Sequence, residues 1–310
     1  MSGATLAFVR AEGGGGDAQV HPYTVRYRAS EALDERLPAL LSRLDRRLPP
    51  THYGVGSHGI GSTVTTTWLV VHRGVAFDPA PPRTAPPGSL LPLRGELRRG
   101  YFKPRVLVAP PGGAPVRVRP AWAAERAVEV TLYFDAGPGT YGVEVVAESQ
   151  YGPVVLYNRP IHVGVEPPAR PVVRLGPAVG AQEPGAALVG LINRHRAERG
   201  LGPLVVHPAL GAVAAEHAAE LARRRSLLHA SPDTGTLATR LRAQGFVFER
   251  IAENLADAAD PRAALQAFLD SPGHARNLLL PGLTHVGVGV DGRFFAVALA
   301  GGLRAEAPLR

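Results

Sequence analysis

Beyond residue 186 the apolar residues of this chain change their spacing, and that change limits what it can fold into. Val128, Val130, Leu132 and Phe134 alternate with Glu129, Thr131 and Tyr133, as a strand with one buried face requires. From residue 187 the spacing becomes three and four: Leu188, Leu191, Ile192 and His195, then Leu210, Val213, Ala214, His217 and Leu221, each lie along one side of a helix. Residues 167–186, rich in proline, glycine and alanine, separate the two regimes as a linker. A length of 310 residues suits two or three domains of about 100–150 residues each.

Taken in order, 13–16 is a glycine lead, and 23–27 alternates like a short strand. Leu33, Leu37, Leu40, Leu41, Leu44 and Leu48 predict one apolar helical face over 32–48, ended by Pro49-Pro50. The glycine-rich run 52–61 has neither the Lys-Ser/Thr of a phosphate loop nor a nucleophile elbow, and reads as a flexible loop. Residues 63–71 read as a strand. These pieces make an N-terminal α/β segment over 1–80 of unassigned role. Residues 78–92 are a proline-rich connector, and short strands follow at 105–109, 116–119, 128–134, 141 onward, 154–157 and 161–165. With Gly139-Thr-Tyr141 placed like a tyrosine corner, they predict an all-β immunoglobulin-like sandwich over 86–166. No catalytic constellation falls within it, so it reads as a binding or spacer module.

Beyond the linker, 187–302 reads as an α+β domain. A first helix stops at Gly200-Leu-Gly-Pro203; a second starts at Pro208 and runs to about residue 228, leaving His229 near its end. A third covers 237–244. Asp260 and Ser271 cap a fourth and a fifth, each with proline next. Val286 to Leu299 predicts a hairpin closed at Asp291-Gly292.

Charge and composition bound the partners. Of 34 basic and 26 acidic residues, 20 and 14 lie in 1–182, an excess of six, so the net +8 sits mostly outside the C-terminal domain. The arginines are scattered, which reads as a solvated surface and not a nucleic-acid footprint; attraction of the N-terminal half to an anionic wall or membrane stays open. No stretch approaches the ~18 apolar residues of a membrane span. Residues 1–17 lack a basic start followed by an apolar run, which by itself points to the cytoplasm. The absence of cysteine removes disulfides and thiolate ligands and leaves His, Asp and Glu as the strong metal ligands.

The chemistry concentrates in 229–277, in His229-Ala-Ser-Pro, Ala252-Glu253-Asn254-Leu255 and Ser271-Pro-Gly-His274-Ala-Arg-Asn277. Brought together, His229, Glu253 and His274 can hold zinc or another divalent ion with an open fourth position. Without a metal, Glu253 can set the tautomer of one imidazole while the other acts as a base. The bland reading stands beside both: His229 ends a helix, Glu253 bonds backbone amides in a loop, and His274 occupies a first turn. Ser271 reads as a helix cap ahead of a nucleophile, Ser231 as a turn residue, His217 as a satisfied core histidine, and Arg240 and Asn254 as braces.

These motifs resemble, in order, the bacterial branch of the CAP superfamily, which comprises cysteine-rich secretory proteins, antigen 5 and plant pathogenesis-related proteins. They are Asn193-Arg-x-Arg-x-x-x-Gly-Leu-x-Pro-Leu204, His229-x-Ser-Pro-Asp233, Glu253-Asn254, Ser271-Pro-Gly-His274-x-x-Asn277 and Val286-Gly-Val-Gly289, spanning about 186–302. The resemblance implies an α-β-α sandwich, an extracytoplasmic location, and a cleft lined by His229, Glu253 and His274 that takes a divalent metal in some members. Lipid binding and proteolysis are also assigned within the superfamily. Three positions depart from the pattern: Ala252 replaces a glycine, Phe268 replaces a tryptophan, and the second glutamate of the eukaryotic cleft has no clear counterpart, its place falling near Asp270 or Ser271. Two functions follow as expectations. One is a secreted or envelope binding module for a lipid, glycan, cell-wall component or protein; the other is a metal-assisted hydrolase of peptides or wall polymers.

Overall fold

The computed structural model describes residues 19–31, 50–121, 124, 126–169 and 183–305. The glycine lead, the helix expected over 32–48 and most of the linker lie outside the described residues. The chain forms two compact units, one of 1–106, 120–147 and 155–171 and one of 107–119, 148–154 and 172–310.

Strands β1 (Gln19–Arg28), β2 (His52–Ile60) and β3 (Thr63–His72) form an antiparallel sheet in the order β1-β3-β2. The run 52–61, expected to be a flexible loop, is therefore a strand. Its residues pair one for one with β3, from His52 opposite Val71 to Ile60 opposite Thr63, and Gly61 supplies the positive φ of the turn. Tyr53, Val55 and Ser57 carry the period of two that the intervening glycines obscure.

Next come β4 (Val75–Phe77), β5 (Thr84–Ala85), β6 (Leu90–Leu97), β7 (Phe102–Ala109), β8 (Arg117–Pro120), β9 (Ala127–Tyr133), β10 (Gly139–Ser149) and β11 (Gly152–Val163). They make two sheets, β4-β6-β9 and β5-β11-β10-β7-β8. The strands of these two sheets thus begin at Val75, ahead of residue 86, and both β5 and the start of β6 fall within the expected connector. The strands foreseen at 154–157 and 161–165 are one continuous strand, β11. The turn after Phe134 does not close a hairpin, since β9 and β10 belong to different sheets. Tyr141, fully buried, braces that crossing: its hydroxyl donates to the Gly137 carbonyl at 3.0 Å and accepts from the Ala136 N–H at 2.8 Å. Phe134 meets its ring edge-on at 5.0 Å.

The C-terminal domain has helices α1 (Pro184–Ala197), α2 (Pro208–Arg224), α3 (Leu237–Ala243), α4 (Pro261–Leu269) and α5 (Pro272–Leu278). Its strands are β12 (Val205–Val206), β13 (Phe246–Val247), β14 (Arg250–Asp257), β15 (His285–Asp291), β16 (Phe294–Gly301) and β17 (Arg304–Ala305). The main sheet runs β12-β15-β16-β14, and β13 pairs with β17. β16 divides two cores by its alternation. Phe295, Val297 and Leu299 pack with Leu188 and Ile192 of α1, Phe268 of α4 and Leu278 of α5. Ala296, Ala298 and Ala300 face Leu210, Val213, Ala214 and Leu221 of α2 and Leu237 and Leu241 of α3. The result is helix, sheet, helix.

Two local features differ from expectation. α2 ends at Arg224, where Arg225 turns left-handed (φ 51°) and its N–H bonds back to the Leu221 and Ala222 carbonyls. His229 therefore sits in the following loop, away from the helix end. Glu253, read as a loop residue, and its neighbour Asn254 occupy β14, which pairs with β16 along its whole length. A strand delivers these neighbours to opposite faces.

The Val-Gly-Val-Gly run has a packing reason. A Cβ at Gly287 would lie 2.1 Å from the Leu210 carbonyl carbon, and one at Gly289 would lie 2.2 Å from that of Ala214. Helix α2 rests backbone-close on β15. Gly289→Ala is expected to destabilise the C-terminal domain by at least ~2 kcal/mol through overpacking. Gly190→Ala, on the open face of α1 with nothing within 4 Å of its Cβ, should be neutral or stabilise by up to ~1 kcal/mol. Urea unfolding midpoints of the two variants check this; equal midpoints would refute the close-packing account.

Candidate functional site

Glu253 leaves the edge strand β14 on the side of α2 and α3, and three cationic or titratable groups close on it. His229 Nδ1 lies 3.0 Å from Oε2, and Arg240 Nη2 of α3 donates to Oε1. His217 Nε2 of α2 stands 3.9 Å from Oε2. The carboxylate is nearly buried, at 8% exposure, while the His229 side chain keeps 25%. Facing a carboxylate, His229 donates through Nδ1 and turns Nε2 away from it. His274, in the first turn of α5, comes from the opposite layer: its ring centroid lies 6.3 Å from that of His229 and 5.7 Å from that of Phe268. The three expected residues converge.

Asn254, fully buried, points the other way from the same strand. Its Nδ2 donates to the His274 carbonyl at 3.0 Å, and its Oδ1 accepts from Asn277 Nδ2 at 3.0 Å. Asn254 and Asn277 thus tie α5 to β14. Ser271 Oγ accepts from the His274 N–H at 3.3 Å and caps α5. Ser231 Oγ donates to Glu220 Oε1 at 2.7 Å and accepts from the Asp233 and Thr234 N–H groups, both at 2.9 Å. Both serine hydroxyls have structural partners.

The family model for CAP, the cysteine-rich secretory protein family, matches residues 189–292. Residues 189–292 are a CAP domain. Over 103 residues, 33% of this chain, it is 30% identical to the uncharacterized protein YkwD of Bacillus subtilis (strain 168). Over 109 residues, 35% of the chain, it is 32% identical to the uncharacterized membrane protein YlbC of the same organism. The chain spans 40% and 32% of the lengths of these two relatives. Among solved structures, an extracellular SCP-domain protein of Bacillus anthracis str. Ames is 32% identical, with 37% of this chain and 39% of that one covered and a TM-score of 0.36. An outer surface protein of Borrelia burgdorferi is 26% identical, covering 38% and 92%, with a TM-score of 0.34. Among the described residues, no helix is long and apolar enough to cross a membrane.

Within the CAP domain the remaining motif residues are structural. Asn193 clasps Leu204 through both backbone groups, at 3.0 and 2.8 Å, and buried Arg196 donates to the Gly202 and Leu278 carbonyls. Together they hold the turn between α1 and β12. Asp270 takes a bond from Gln266 and Ser271 caps its helix, so neither joins the cleft.

Sequence reasoning missed Glu220. It lies on α2 three residues after His217, is buried, and bonds Ser231 and Arg224. Arg224 in turn reaches Asp233 at 2.6 Å, so the network fastens the loop carrying His229 to its helix. The available signal was a carboxylate on an apolar helical face. His217 is a core histidine, as expected: its Nε2 donates to the Leu228 carbonyl at 2.9 Å. Its Nδ1, buried without a hydrogen-bond partner, faces Glu220 Oε2 at 3.6 Å, so His217 links the two carboxylates.

The donor set falls one ligand short of a three-ligand zinc centre. Both Glu253 oxygens are engaged, and among the described residues no three His, Asp or Glu side chains stand grouped for a metal. Glu253 serves here to orient His229.

Burial pushes the Glu253 carboxyl up, but the His229 bond and the charges of His229, Arg240 and His217 outweigh it and hold it below its ordinary value. Burial, aided by His229, lowers His274 to about 3 from an ordinary 6.5. Folding keeps His274 neutral where the unfolded chain would protonate, so stability falls as pH drops from 6.5 toward 3. Glu253 contributes stability above its ordinary 4.5, lost as pH falls through its lower folded value. His274→Gln should flatten the melting-temperature profile between pH 6.5 and 4.5, whereas Glu253→Gln should change the slope below about 4.5 and, by removing the charge that raises His217, steepen it between 6.5 and 4.5. Thermal melts across pH 7 to 3 check both windows, and a His274 variant with the wild-type slope would contradict the first.

Proposed function

We propose that the protein is an extracytoplasmic binding module whose CAP cleft takes a small polar ligand at His229 Nε2 and His274. One observation supports this reading above others: Glu253 spends both oxygens on His229 and Arg240, leaving an oriented imidazole with Nε2 outward beside the neutral His274. Such a pair presents imidazole nitrogens for hydrogen bonding. A lipid chain would ask for apolar walls, whereas the groups gathered at the cleft are imidazoles and arginine–carboxylate pairs. The β-sheet pair between Val75 and Val163 serves as an immunoglobulin-like spacer or second recognition module. Location outside the cytoplasm accords with the extracellular and outer-surface proteins to which the CAP domain is similar.

A divalent ion is the second reading. It is favoured by the carboxylate–histidine pairing, which commonly orients a metal-binding imidazole, and it would need ligands beyond the two histidines. Hydrolysis is less well supported, because Ser231 and Ser271 are both committed to structural bonds.

Incubation with casein and with purified peptidoglycan should release no more product from the wild type than from Glu253→Gln. Product lost only in the variant would replace binding by hydrolysis. Calorimetric titration of zinc into the wild type and into His229→Ala/His274→Ala separates the remaining readings. Heat that disappears in the double variant assigns the cleft to an ion, and identical null traces leave the small-ligand reading.

A further inference from the structure

The sheet of β1, β3 and β2 presents a face that nothing above uses. Cross-strand register places Arg26, Thr65 and His58 in one row and Arg28, Thr63 and Ile60 in the next, with Thr24, Thr67 and Gly56 beyond. These rows share one side of the pleat. Arg26, His58, Ile60, Thr63 and Thr65 line a concavity of about 280 Å3 there. All nine residues of β2 are exposed, and the space a side chain would fill at Gly54 and Gly56 is open. On this face Thr63 is exposed and Thr65 half-buried, while Thr67 bonds Thr24 at 2.9 Å.

The charge on this face is one-sided. None of the three strands contains aspartate or glutamate, and among the described residues no carboxylate pairs with Arg26 or His58. An arginine fork beside threonine hydroxyls suits a tetrahedral oxyanion, which accepts several hydrogen bonds at once. The two arginine rows stand about 6.8 Å apart, two residues of antiparallel strand, which suits an anion that repeats along a chain.

The other face narrows the class of polymer. Tyr23, Tyr27, Tyr53 and Trp68 all fall on the opposite side of the pleat by the same register. Bases of a single-stranded nucleic acid would thus find no aromatic platform beside the arginines. A bilayer would find Ile60 as an exposed apolar side chain in the concavity and little else to insert.

We propose that this face binds a linear phosphate-bearing carbohydrate polymer, with Arg26 and His58 holding a phosphate group and Thr63 and Thr65 bonding its oxygens or adjacent hydroxyls. The site belongs to the first unit and does not depend on the CAP cleft. Phosphorylated dextran is the probe, titrated into the full chain alongside uncharged dextran, inorganic phosphate, a single-stranded oligonucleotide and phosphatidylglycerol vesicles. The wild type should bind phosphorylated dextran in a salt-sensitive manner, more tightly than inorganic phosphate, and uncharged dextran not at all. Arg26→Gln/His58→Gln, both exposed positions, should weaken it at least tenfold, while Arg99→Gln, which removes a charge elsewhere, should leave it unchanged. Thr63→Val/Thr65→Val, which alters no charge, should also weaken it. The proposal is overturned if the Arg26/His58 variant binds like the wild type with an unaltered circular dichroism spectrum. It is equally overturned if uncharged dextran binds as well, or if the oligonucleotide or the vesicles bind more tightly than the polymer.

Discussion

The close seating of α2 on the sheet is the constraint from which the C-terminal domain follows. Gly287 and Gly289 of β15 and the alanines of β16 give this helix a nearly flat bed, so its backbone approaches the strands without a layer of large side chains between. Only at that distance can His217 on α2 come within 3.9 Å of a carboxylate rising from β14. Bulk on those glycines would lift the helix, and with it the loop that carries His229. The site is thus coupled to the core through backbone proximity.

Charge compensation is the second dependency. Glu253 is too buried to stand alone as an anion, and Arg240, itself 4% exposed, supplies the opposite charge. Arg240 also donates to the Gly235 carbonyl at 2.8 Å, which fastens the carboxylate to the loop between His229 and α3. Glu220, Ser231, Arg224 and Asp233 repeat the arrangement at the other end of that loop. Two arginine–carboxylate clasps therefore hold His229 in place, while the Asn254–Asn277 clasp holds His274. Each histidine is fixed from its own layer, and they meet at the edge of β14.

In the first unit the same physics yields a different surface. Glycines in β2 remove side chains from one face of a three-stranded sheet, and the threonine hydroxyls and arginines of the neighbouring strands become that face. Composition alone spreads the positive charge along the chain; strand register gathers Arg26 and Arg28 onto one side.

Much of this was legible beforehand. Helix starts at Pro208, Pro261 and Pro272 and the caps Asp260 and Ser271 are local signals, because a cap or a fixed φ acts within one turn; α1, by contrast, begins at Pro184, inside the stretch read as linker. The change from a period of two to one near 3.6 separated β from α correctly. Local signals mislead elsewhere: glycines disguise β2 as a loop, and Glu253 reads as a loop residue although it lies on β14, because cross-strand pairing is carried by residues distant in sequence. The sequence by itself determined which residues were candidates, His229, Glu253 and His274, through motifs in order. Only the tertiary structure decided their roles. It gave Glu253 to Arg240 and His229, made His217 and Glu220 part of the same network, and committed Ser231 and Ser271 to backbone and carboxylate bonds. A carboxylate's partners are chosen by what packs within hydrogen-bond reach in three dimensions, and spacing along the chain does not encode that distance.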